Sequence, residues 1–350
     1  MTPEHDGRTT IRTEIENLAA ARQGDEGAFA GLTTPHRREL HVHCYRMLGS
    51  LDDADDALQE TFLRAWRQLD RFEPRAPFRA WLYRIATNVC LTLLSRRARN
   101  GEDRWTARDE AWVKEGDPVR LDPYPDHLLD ELMASTPGPE AKVERDESVQ
   151  LAFVASVQLL PPRQRATLLL RDVLDYSGAE AAEMLGTSVA GSNSALQRAR
   201  AALERERIAG RITREHADGA DASERALVQR LVDAWHAADV ASIVALLSED
   251  ALLTMPPLPD RYAGPAAIGA FLRTVPAGGR LERFRLVPTR ANRQPAVAVY
   301  LRDGNRGDFQ AHGVIVLAIS GDAIASLVRF TSPGLLERFG LPRTFADPSA

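Results

Sequence analysis

The chain has 350 residues, of which 44% are hydrophobic and 27% are charged, and its formal net charge is −5. This length is too great for one ordinary hydrophobic core, so we expect two or three domains. No run approaches the 18 apolar residues of a membrane span, and the first residues lack the apolar core of an export signal. We therefore expect a cytoplasmic protein with no membrane partner.

Charge is segregated along the chain. Residues 75–104 hold seven arginines against two acids, whereas residues 52–60 hold five acids and no base. A local basic stretch attracts phosphate whatever the total charge, so the net negative charge does not exclude a nucleic-acid partner.

Cysteines and histidines follow no metal-binding or disulfide pattern. Cys44 and Cys90 stand far apart without CxxC spacing. His36, His41 and His43 are close in sequence, but residues two apart face different sides of a helix. We therefore expect no metal site, and nothing in the chain indicates a cofactor.

After a tail of residues 1–13, the apolar spacing predicts two helices over residues 15–50, with Gly49 as the stop signal. A further helix is predicted over 52–70. Its acidic start is favourable at the positive end of the helix dipole, which is a sufficient explanation for the four aspartates there.

The stretch FRAWLYRIATNVCLTLLSRRAR, residues 78–99, carries two different faces. Apolar residues at helical spacing predict a core stripe. A neighbouring face combines an aromatic ring with a guanidinium, an amide and a hydroxyl, and two arginines follow it. These residues are Trp81, Arg84, Asn88, Ser95, Arg96 and Arg97. Such a face suits unstacked bases and phosphates. The alternative interpretation is that Trp81 belongs to the core and the others are ordinary surface.

Residues 101–147 are acidic and rich in proline, with the runs DPYPD and STPGPE. Such a segment cannot bury enough apolar surface to fold alone, so we interpret it as a linker.

Residues 148–206 predict several short helices ending in a helix-turn-helix. Gly186 supplies the turn, and Ser188 is a plausible helix cap. In the second helix Val189, Leu196, Ala199 and Leu203 are expected to point inward. The remaining side chains are then directed to a major groove and its phosphates: Ala190, Asn193, Ser194, Gln197, Arg198 and Arg200.

The motif DDADDALQETFLRAWR, followed by FRAWLYRIATN, resembles region 2 of the extracytoplasmic-function (ECF) sigma factors, small bacterial RNA polymerase subunits of the sigma-70 family. Residues 159–203 resemble region 4 of the same family. The resemblance implies two all-α domains, region 2 at 14–100 and region 4 at 148–206. It also implies core RNA polymerase and promoter DNA as partners, with an anti-sigma factor as a further candidate.

The same resemblance implies roles for particular segments. In the family, the helix at 52–70 docks on the coiled-coil of the largest polymerase subunit, which would place six residues in that interface: Asp56, Gln59, Glu60, Phe62, Leu63 and Arg64. The linker between regions 2 and 4 threads through the RNA exit path of the polymerase. A merely solubilising linker would have the same composition.

One departure from the family concerns the recognition helix. Many members carry lysine and arginine where this chain has Asn193 and Ala195. We therefore expect readout of the minus thirty-five element to be weak or to use amide side chains. The alternative that Asn193 is an ordinary surface residue remains open.

Beyond a connector at 207–222, the pattern changes to helices at 224–238 and 266–275, then strands at 280–288, 296–302, 311–319 and 323–331. This is an α+β layout. AWHAADVASIVALLSEDALLTMPPLP and PGLLERFGLP resemble the SnoaL-like, NTF2-like cone, which would span 223–341 before a tail at 342–350. Such sheets curl around an apolar pocket, and the lining candidates are Trp235, Met255, Tyr262, Tyr300 and His312.

The sequence thus indicates a sigma factor with no catalytic residue, modulated in cis by its C-terminal domain. The apolar residues of PGLLERFGLP are expected to clasp a neighbouring domain. One alternative is a bifunctional protein with a cyclase or isomerase cone, which requires an acid paired with His312. A plain helix-turn-helix regulator is disfavoured, because it leaves the acidic helix and the Trp81 face unexplained. The pocket leaves room for a small ligand as a further partner.

Overall fold

The computed structural model describes residues 14–74, 76–100, 121–134, 148–208, 222–256, 258, 260–302 and 307–345. The chain divides into two compact units, one from 1–112 with 160–204 and one from 113–159 with 205–350. The predicted tail 1–13, the ends of the linker and residues 209–221 of the connector lie outside the described residues. No helix within the described ranges is long and apolar enough to cross a bilayer.

The first unit is helical. Its helices are α1 at 14–22, α2 Glu26–Thr33, α3 Arg37–Leu48, α4 Leu51–Gln68, α5 Phe78–Asn100, α8 Pro162–Leu168, α9 Gly178–Met184 and α10 Val189–Ile208, numbered along the whole chain. Helices α3, α4 and α5 pack against one another. Gly49 ends α3 at φ 76°, a left-handed conformation that glycine adopts without strain, so the predicted stop is confirmed.

Four residues of the predicted core stripe of α5 are buried, namely Phe78, Leu82, Ile85 and Val89. The fifth, Leu93, is half-buried, and its neighbour Leu94 is buried instead. The helix-turn-helix is also present, with Gly186 at φ 60° between α9 and α10. Ser177 and Glu180 form a capping box at the start of α9.

One inward residue of α10 was predicted wrongly. Val189 is 47% exposed, and Ser192 is buried with Leu196 and Ala199 instead. These three are spaced by four and three residues, so they share one side of the helix. Val189 lies on that side too, but it is the first residue of the helix, where it is left exposed.

The second unit is α+β, as expected. Its helices are α6 Asp126–Ala134, α7 Leu151–Gln158, α11 Ala222–His236, α12 Val240–Ala245, α13 Pro265–Thr274 and α14 Leu335–Arg338. Its strands are β1 Leu247–Thr254, β2 Arg261–Ala263, β3 Phe284–Ala291, β4 Gln294–Arg302, β5 Phe309–Ser320, β6 Ala323–Phe330 and β7 Thr344–Phe345.

The sheet order is β2-β1-β6-β5-β4-β3, with β7 added beside β5. The antiparallel meander β3 to β6 was predicted, whereas β1, which pairs in parallel with β6, was not. Helices α11 and α13 cover one face of the sheet, where a single buried apolar cluster includes Leu231, Ile268, Leu286, Ile315 and Leu327.

Two expectations about the second unit need correction. The tail motif packs on its own domain, because Leu335, Leu336 and Phe339 are buried and α14 contacts β5. The linker also contains structure, since α6 lies inside it and Pro125 forms a bridge with Ala291. This segment is ordered by packing against the β3–β4 hairpin, although its composition prevents it from folding alone.

Candidate nucleic-acid and polymerase interfaces

Trp81 on α5 lies between the core and the surface. Its ring is half-buried, 5.0 Å from the ring of Phe72 and 5.4 Å from that of Phe78, at tilted angles of 44° and 40°. The two phenylalanines hold the indole in place and leave part of it exposed. This geometry suits a stacking platform, because little side-chain entropy is lost when a base arrives.

Arg84 and Asn88, the next residues of this face, both meet the end of α9. Asn88 Nδ2 donates to the carbonyl oxygen of Arg84 at 2.8 Å and to that of Met184 at 3.2 Å. Arg84 Nη1 lies 3.7 Å from Glu183 Oε1, in an exposed pair that contributes little stability. The amide donor of Asn88 therefore already has backbone acceptors, which a base would have to replace.

The basic end of α5 is only partly available. Arg96 is exposed, and the Ser95 hydroxyl donates to the carbonyl oxygen of Leu91 at 2.8 Å. Arg97 instead forms an ion pair with Asp53, and the two side chains are 11% and 18% exposed. This pair fastens α5 to the start of α4, so phosphate binding by Arg97 would require it to open.

On the recognition helix α10, every predicted DNA-facing residue is exposed: Ala190, Asn193, Ser194, Gln197, Arg198 and Arg200. Arg198 Nη1 donates to Ser194 Oγ at 2.7 Å. Arg200 is bound by both carboxylate oxygens of Asp172, at 2.9 and 2.7 Å. The surface around Asn193 is thus open, whereas Arg200 has an intramolecular partner.

Sequence reasoning missed Arg171, whose Nη1 lies 3.5 Å from Asn193 Oδ1. The two side chains meet over Gly178, where an added Cβ would lie 2.6 Å from Arg171 Nη1. Glycine at this position therefore leaves room for an arginine beside the reading amide. The sequence signal that could have found it is the position of Arg171, a cation directly after the apolar run LLL at 168–170.

Helix α4 presents the residues expected to contact polymerase. Asp56 and Gln59 are exposed, and Leu63 is 44% exposed. Arg64 Nε donates to Glu60 Oε1 at 2.6 Å, one helical turn away, and Phe62 is half-buried. An exposed leucine ringed by charged groups is typical of a surface that contacts another protein.

The pocket candidates do not all share one side of the sheet. Trp235 and Met255 are buried in the apolar cluster, and Tyr262 packs 4.5 Å from Phe271. Tyr300 was placed wrongly, because its hydroxyl donates to the carbonyl oxygen of Pro342 at 2.9 Å on the opposite face. Side chains alternate along a strand, and its neighbour Val299 occupies the inner face.

His312 has a cation as its neighbour, since Arg329 Nη2 lies 2.8 Å from its Nε2. Within the described part of the chain, no acid is seen beside it. The acid–histidine pair that the enzymatic alternative requires is therefore not seen there.

A further site, which the sequence did not indicate, lies at the β3–β4 turn. Asn292 is fully buried, and its Oδ1 accepts from the backbone N–H of Tyr124 at 2.7 Å. Its Nδ2 donates to the carbonyl oxygen of Val149 at 2.7 Å. The backbone N–H of Asn292 donates to the carbonyl oxygen of Tyr124 at 2.8 Å. One side chain thereby bonds to two points of the chain between regions 2 and 4, one inside the linker and one just after it.

Charge complements these bonds. The backbone N–H of Arg293 donates to Asp126 Oδ1 at 2.8 Å, and its Nη1 donates to Asp130 Oδ1 at 2.6 Å. Arg290 reaches Asp126 Oδ2 at 3.3 Å and Glu224 at 2.6 Å. Burial raises the pKa of Asp126, and the two arginines oppose that rise. The acidic character of the linker is therefore matched by a basic turn.

The turn itself is unusual. Asn292 and Arg293 have φ of 56° and 61°, the left-handed pair of a type I′ hairpin, for which Asn-Gly is the favoured sequence. An arginine at the second position is strained, and its contacts with Asp126 and Asp130 offset that strain. Next to it, Gln294 Oε1 accepts from the backbone N–H of Leu151 at 3.0 Å.

Comparison with known families finds three matches in order along the chain. The chain matches Sigma-70 region 2 over residues 32–100, Sigma-70 region 4 over 150–203 and the SnoaL-like domain over 228–327. These matches confirm both resemblances drawn from the sequence.

Among curated relatives, the chain is 40% identical over 330 residues to the ECF RNA polymerase sigma factor SigG of Mycobacterium tuberculosis, covering 93% of this chain and 86% of the relative. It is 26% identical over 203 residues to SigW of Bacillus subtilis, covering 55% and 95%. Among solved structures, the ECF sigma factor SigJ of Mycobacterium tuberculosis has a TM-score of 0.54 at 23% identity, covering 87% of this chain and 97% of that one. The last similarity concerns the fold.

Proposed function

Because the chain belongs to the ECF RNA polymerase sigma factors, we propose that its C-terminal domain controls transcription in cis by holding the linker between regions 2 and 4. The chain is a promoter-recognising transcription initiation factor, with RNA polymerase and promoter DNA as partners. The proposal concerns how the SnoaL-like domain acts on that activity.

The observation that carries the proposal is the bonding of Asn292. Its side chain satisfies the N–H of Tyr124, which lies inside the linker at 101–147, and the carbonyl of Val149, which lies just after it. A typical hydrogen bond contributes about 1 kcal/mol, and leaving a buried partner unsatisfied costs about 1–3 kcal/mol. Together with the ion pairs of Arg293, these bonds favour the held linker strongly.

The held position competes with the position that the family resemblance implies. A linker that threads the RNA exit path cannot at the same time lie on the β3–β4 turn. Both ends of the contact belong to one chain, so a high effective concentration favours it without a large interface. The C-terminal domain would therefore restrain the sigma factor until polymerase takes over the linker.

Run-off transcription with purified core polymerase tests this competition. Asn292→Gly keeps the left-handed turn and removes the amide, so it should release the linker and raise transcription above that of the unmodified chain. The matched control is Asp322→Gly in the β5–β6 turn, whose residue is exposed. Equal transcription from all three proteins would contradict restraint by this contact.

We also assign core-polymerase docking to α4, on the strength of exposed Leu63 and its charged surround. Replacing Asp56 and Glu60 together by arginine should abolish association with core enzyme, because like charges then face each other across the interface. The effect on the stability of the isolated chain should be only a few tenths of a kcal/mol. Unchanged co-purification with core polymerase would remove α4 from that role.

The non-catalytic role of the C-terminal domain is supported by the neighbour of His312, which is Arg329 rather than an acid. An imidazole that accepts from a guanidinium is a poor general base, because its lone pair is occupied. Acting with RNA polymerase places the protein in the cytoplasm.

A further inference from the structure

The first helix of region 4 lies with the C-terminal domain. The match to Sigma-70 region 4 runs over residues 150–203, and α7 is its first helix. The compact unit that contains α7 is nevertheless the one that holds the SnoaL-like domain, whereas α8 and α9 belong to the other unit. The boundary that the family sets and the boundary that packing sets therefore differ by one helix.

Helix α7 is not suited to stand alone in water. Residues 148–160, SVQLAFVASVQLL, include no charged side chain, and each of them is buried or half-buried. Val154 and Val157 are fully buried. A helix that is apolar on every side has to be covered by other parts of the protein. Region 4 therefore depends on its surroundings for its first helix.

The C-terminal domain supplies a cap for α7. The first N–H groups of a helix have no partner inside it, and a polar side chain normally accepts from one of them. Gln150, the N-cap residue of α7, makes no side-chain bond of this kind. Instead Gln294 Oε1 at the start of β4 accepts from the N–H of Leu151 at 3.0 Å, across 143 positions of sequence. Both residues are buried, so without this oxygen the N–H would be left unsatisfied.

Two side chains of the β3–β4 hairpin hold the approach to α7. Gln150 is extended, with φ −53° and ψ 142°. On either side of it, Asn292 bonds to the carbonyl of Val149 and Gln294 bonds to the N–H of Leu151. The two contacts fix where α7 begins. Residues 159–161 alone separate α7 from α8, so a shift of α7 is passed directly to α8.

We propose that the C-terminal domain is the docking site of the first helix of region 4, and that Gln294 is a positioning residue for promoter recognition. By fixing the start of α7, it fixes the start of the set of helices that ends in the recognition helix α10. The inference concerns region 4 and does not rest on restraint of the linker. It also has the opposite sign, because the linker contact restrains the factor whereas the α7 contact supports binding to the minus thirty-five element.

Hydrogen exchange on the full chain tests whether Gln294 holds α7. Gln294→Met keeps the length of the side chain and removes the accepting oxygen. The N–H of Val154, which donates to the carbonyl of Gln150 at 3.0 Å, should then exchange about fivefold faster, the factor that corresponds to one hydrogen bond. Gln310→Met makes the same replacement at a half-buried glutamine of β5 and should leave α7 unchanged. Equal exchange in Gln294→Met and the unmodified chain would overturn the capping role.

Gln294→Glu separates the cap from the packing of the side chain. A carboxylate oxygen can accept from the same N–H, and a negative charge is favourable at the start of a helix. The exchange of α7 should therefore stay within about twofold of that in the unmodified chain. If Gln294→Glu and Gln294→Met speed the exchange equally, the accepting oxygen has no part in holding α7, and the assignment of Gln294 fails.

Reciprocity tests whether docked α7 supports promoter recognition, and this measurement needs no variant. If docking of α7 favours DNA binding, DNA binding must favour docking by the same factor. A saturating minus thirty-five duplex, selected for tight binding, should therefore slow the exchange of α7 by about threefold or more, and a scrambled duplex of the same length should slow it less. Unchanged exchange would overturn the positioning role. Faster exchange would show that DNA removes α7 from the domain, which would also overturn it.

Affinity for the same duplex gives the last comparison. Gln294→Met should bind about two- to fivefold more weakly, because a smaller fraction of the chain has α7 docked. Gln294→Glu and Gln310→Met should bind like the unmodified chain. Unchanged affinity in a Gln294→Met protein whose α7 exchanges faster would show that the domain holds this helix without a part in recognition. Tighter binding would show that docking withholds region 4 from DNA, and either result would contradict the proposal.

Discussion

The recognition helix α10 and the β3–β4 turn both present an asparagine near an arginine, and they use these side chains in opposite ways. On α10, Asn193 is exposed and its described contact is Arg171 at 3.5 Å. At the turn, Asn292 is fully buried and its amide is bonded to two segments of backbone. The amide at the turn thus has resident partners, whereas we predict a transient partner for the amide on the helix.

Burial decides which use is made of the amide. An exposed amide loses little when a partner leaves, because water replaces it. A buried amide whose partner leaves is left unsatisfied, at a cost of about 1–3 kcal/mol. The comparison therefore predicts large stability effects at the turn and large DNA-binding effects on α10.

The largest effect is expected from Asn292→Ala. It leaves the N–H of Tyr124 and the carbonyl of Val149 without partners and strains alanine at positive φ, so we expect a loss of about 2–4 kcal/mol in the second unit. Scanning calorimetry should show its transition at lower temperature. Gln197→Ala on α10 is the exposed counterpart and should stay within about 0.5 kcal/mol. Equal losses for the two variants would break the comparison.

A second prediction concerns DNA melting on α5. Trp81→Ala should lose about 1–3 kcal/mol for each stacked base and slow open-complex formation, followed with a fluorescent base in the minus ten element. Trp81→Phe keeps an aromatic ring beside Phe72 and should retain part of the activity. If Trp81→Ala instead lowers the melting temperature and core binding together, the indole is a packing residue.

A third prediction concerns base reading on α10. If Asn193 forms a bidentate contact, Asn193→Ala should cost about 1–3 kcal/mol in promoter binding and relax selectivity at one base pair. Binding to a panel of minus thirty-five duplexes measures this. Arg198→Ala, which removes a candidate phosphate contact, should weaken all duplexes alike and reduce the salt dependence. Uniform weakening by Asn193→Ala would show that its amide does not read sequence.

The helices that carry the candidate DNA-contacting residues and the strands of the meander were predictable, because their signals are local. The stripe of α5, the Gly186 turn and the β3–β6 meander each depend on spacings within a few residues. The position of Tyr300 was also within reach, since alternation along β4 places it opposite Val299.

The linker contact was not predictable in the same way. Tyr124 and Asn292 are 168 positions apart, and an acidic, proline-rich segment has no local signature of where it binds. The one trace was Asn-Arg at a hairpin turn where Asn-Gly is favoured. A strained residue at a turn can thus mark a contact that composition conceals.

The smallest predicted effect concerns pH. Burial lowers the pKa of His43 to about 3, and its Nε2 lies 2.9 Å from Thr87 Oγ1. The unfolded chain binds a proton below about pH 6.5 while the folded chain does not, so stability should fall with decreasing pH between these values, by about 1.4 kcal/mol at pH 5.5. Denaturant melts of the first unit at pH 7.5 and 5.5 measure this.

His43→Gln removes the titrating group and keeps a polar side chain at the same position. Its pH dependence over this range should be flatter by the same amount. An unchanged pH dependence would show that His43 does not couple folding to protons.

The central claim is that polymerase and the C-terminal domain compete for the linker, and hydrogen exchange at the turn tests it most directly. In the free chain the N–H groups of Asn292 and Arg293 donate to Tyr124 and Asp126, so both should be protected. Upon binding of core polymerase to the full chain, we expect these two amides to exchange at least tenfold faster, while the paired strands of the meander keep their protection. Equal protection in the free and bound chain would show that the linker stays on the turn, and would contradict the account.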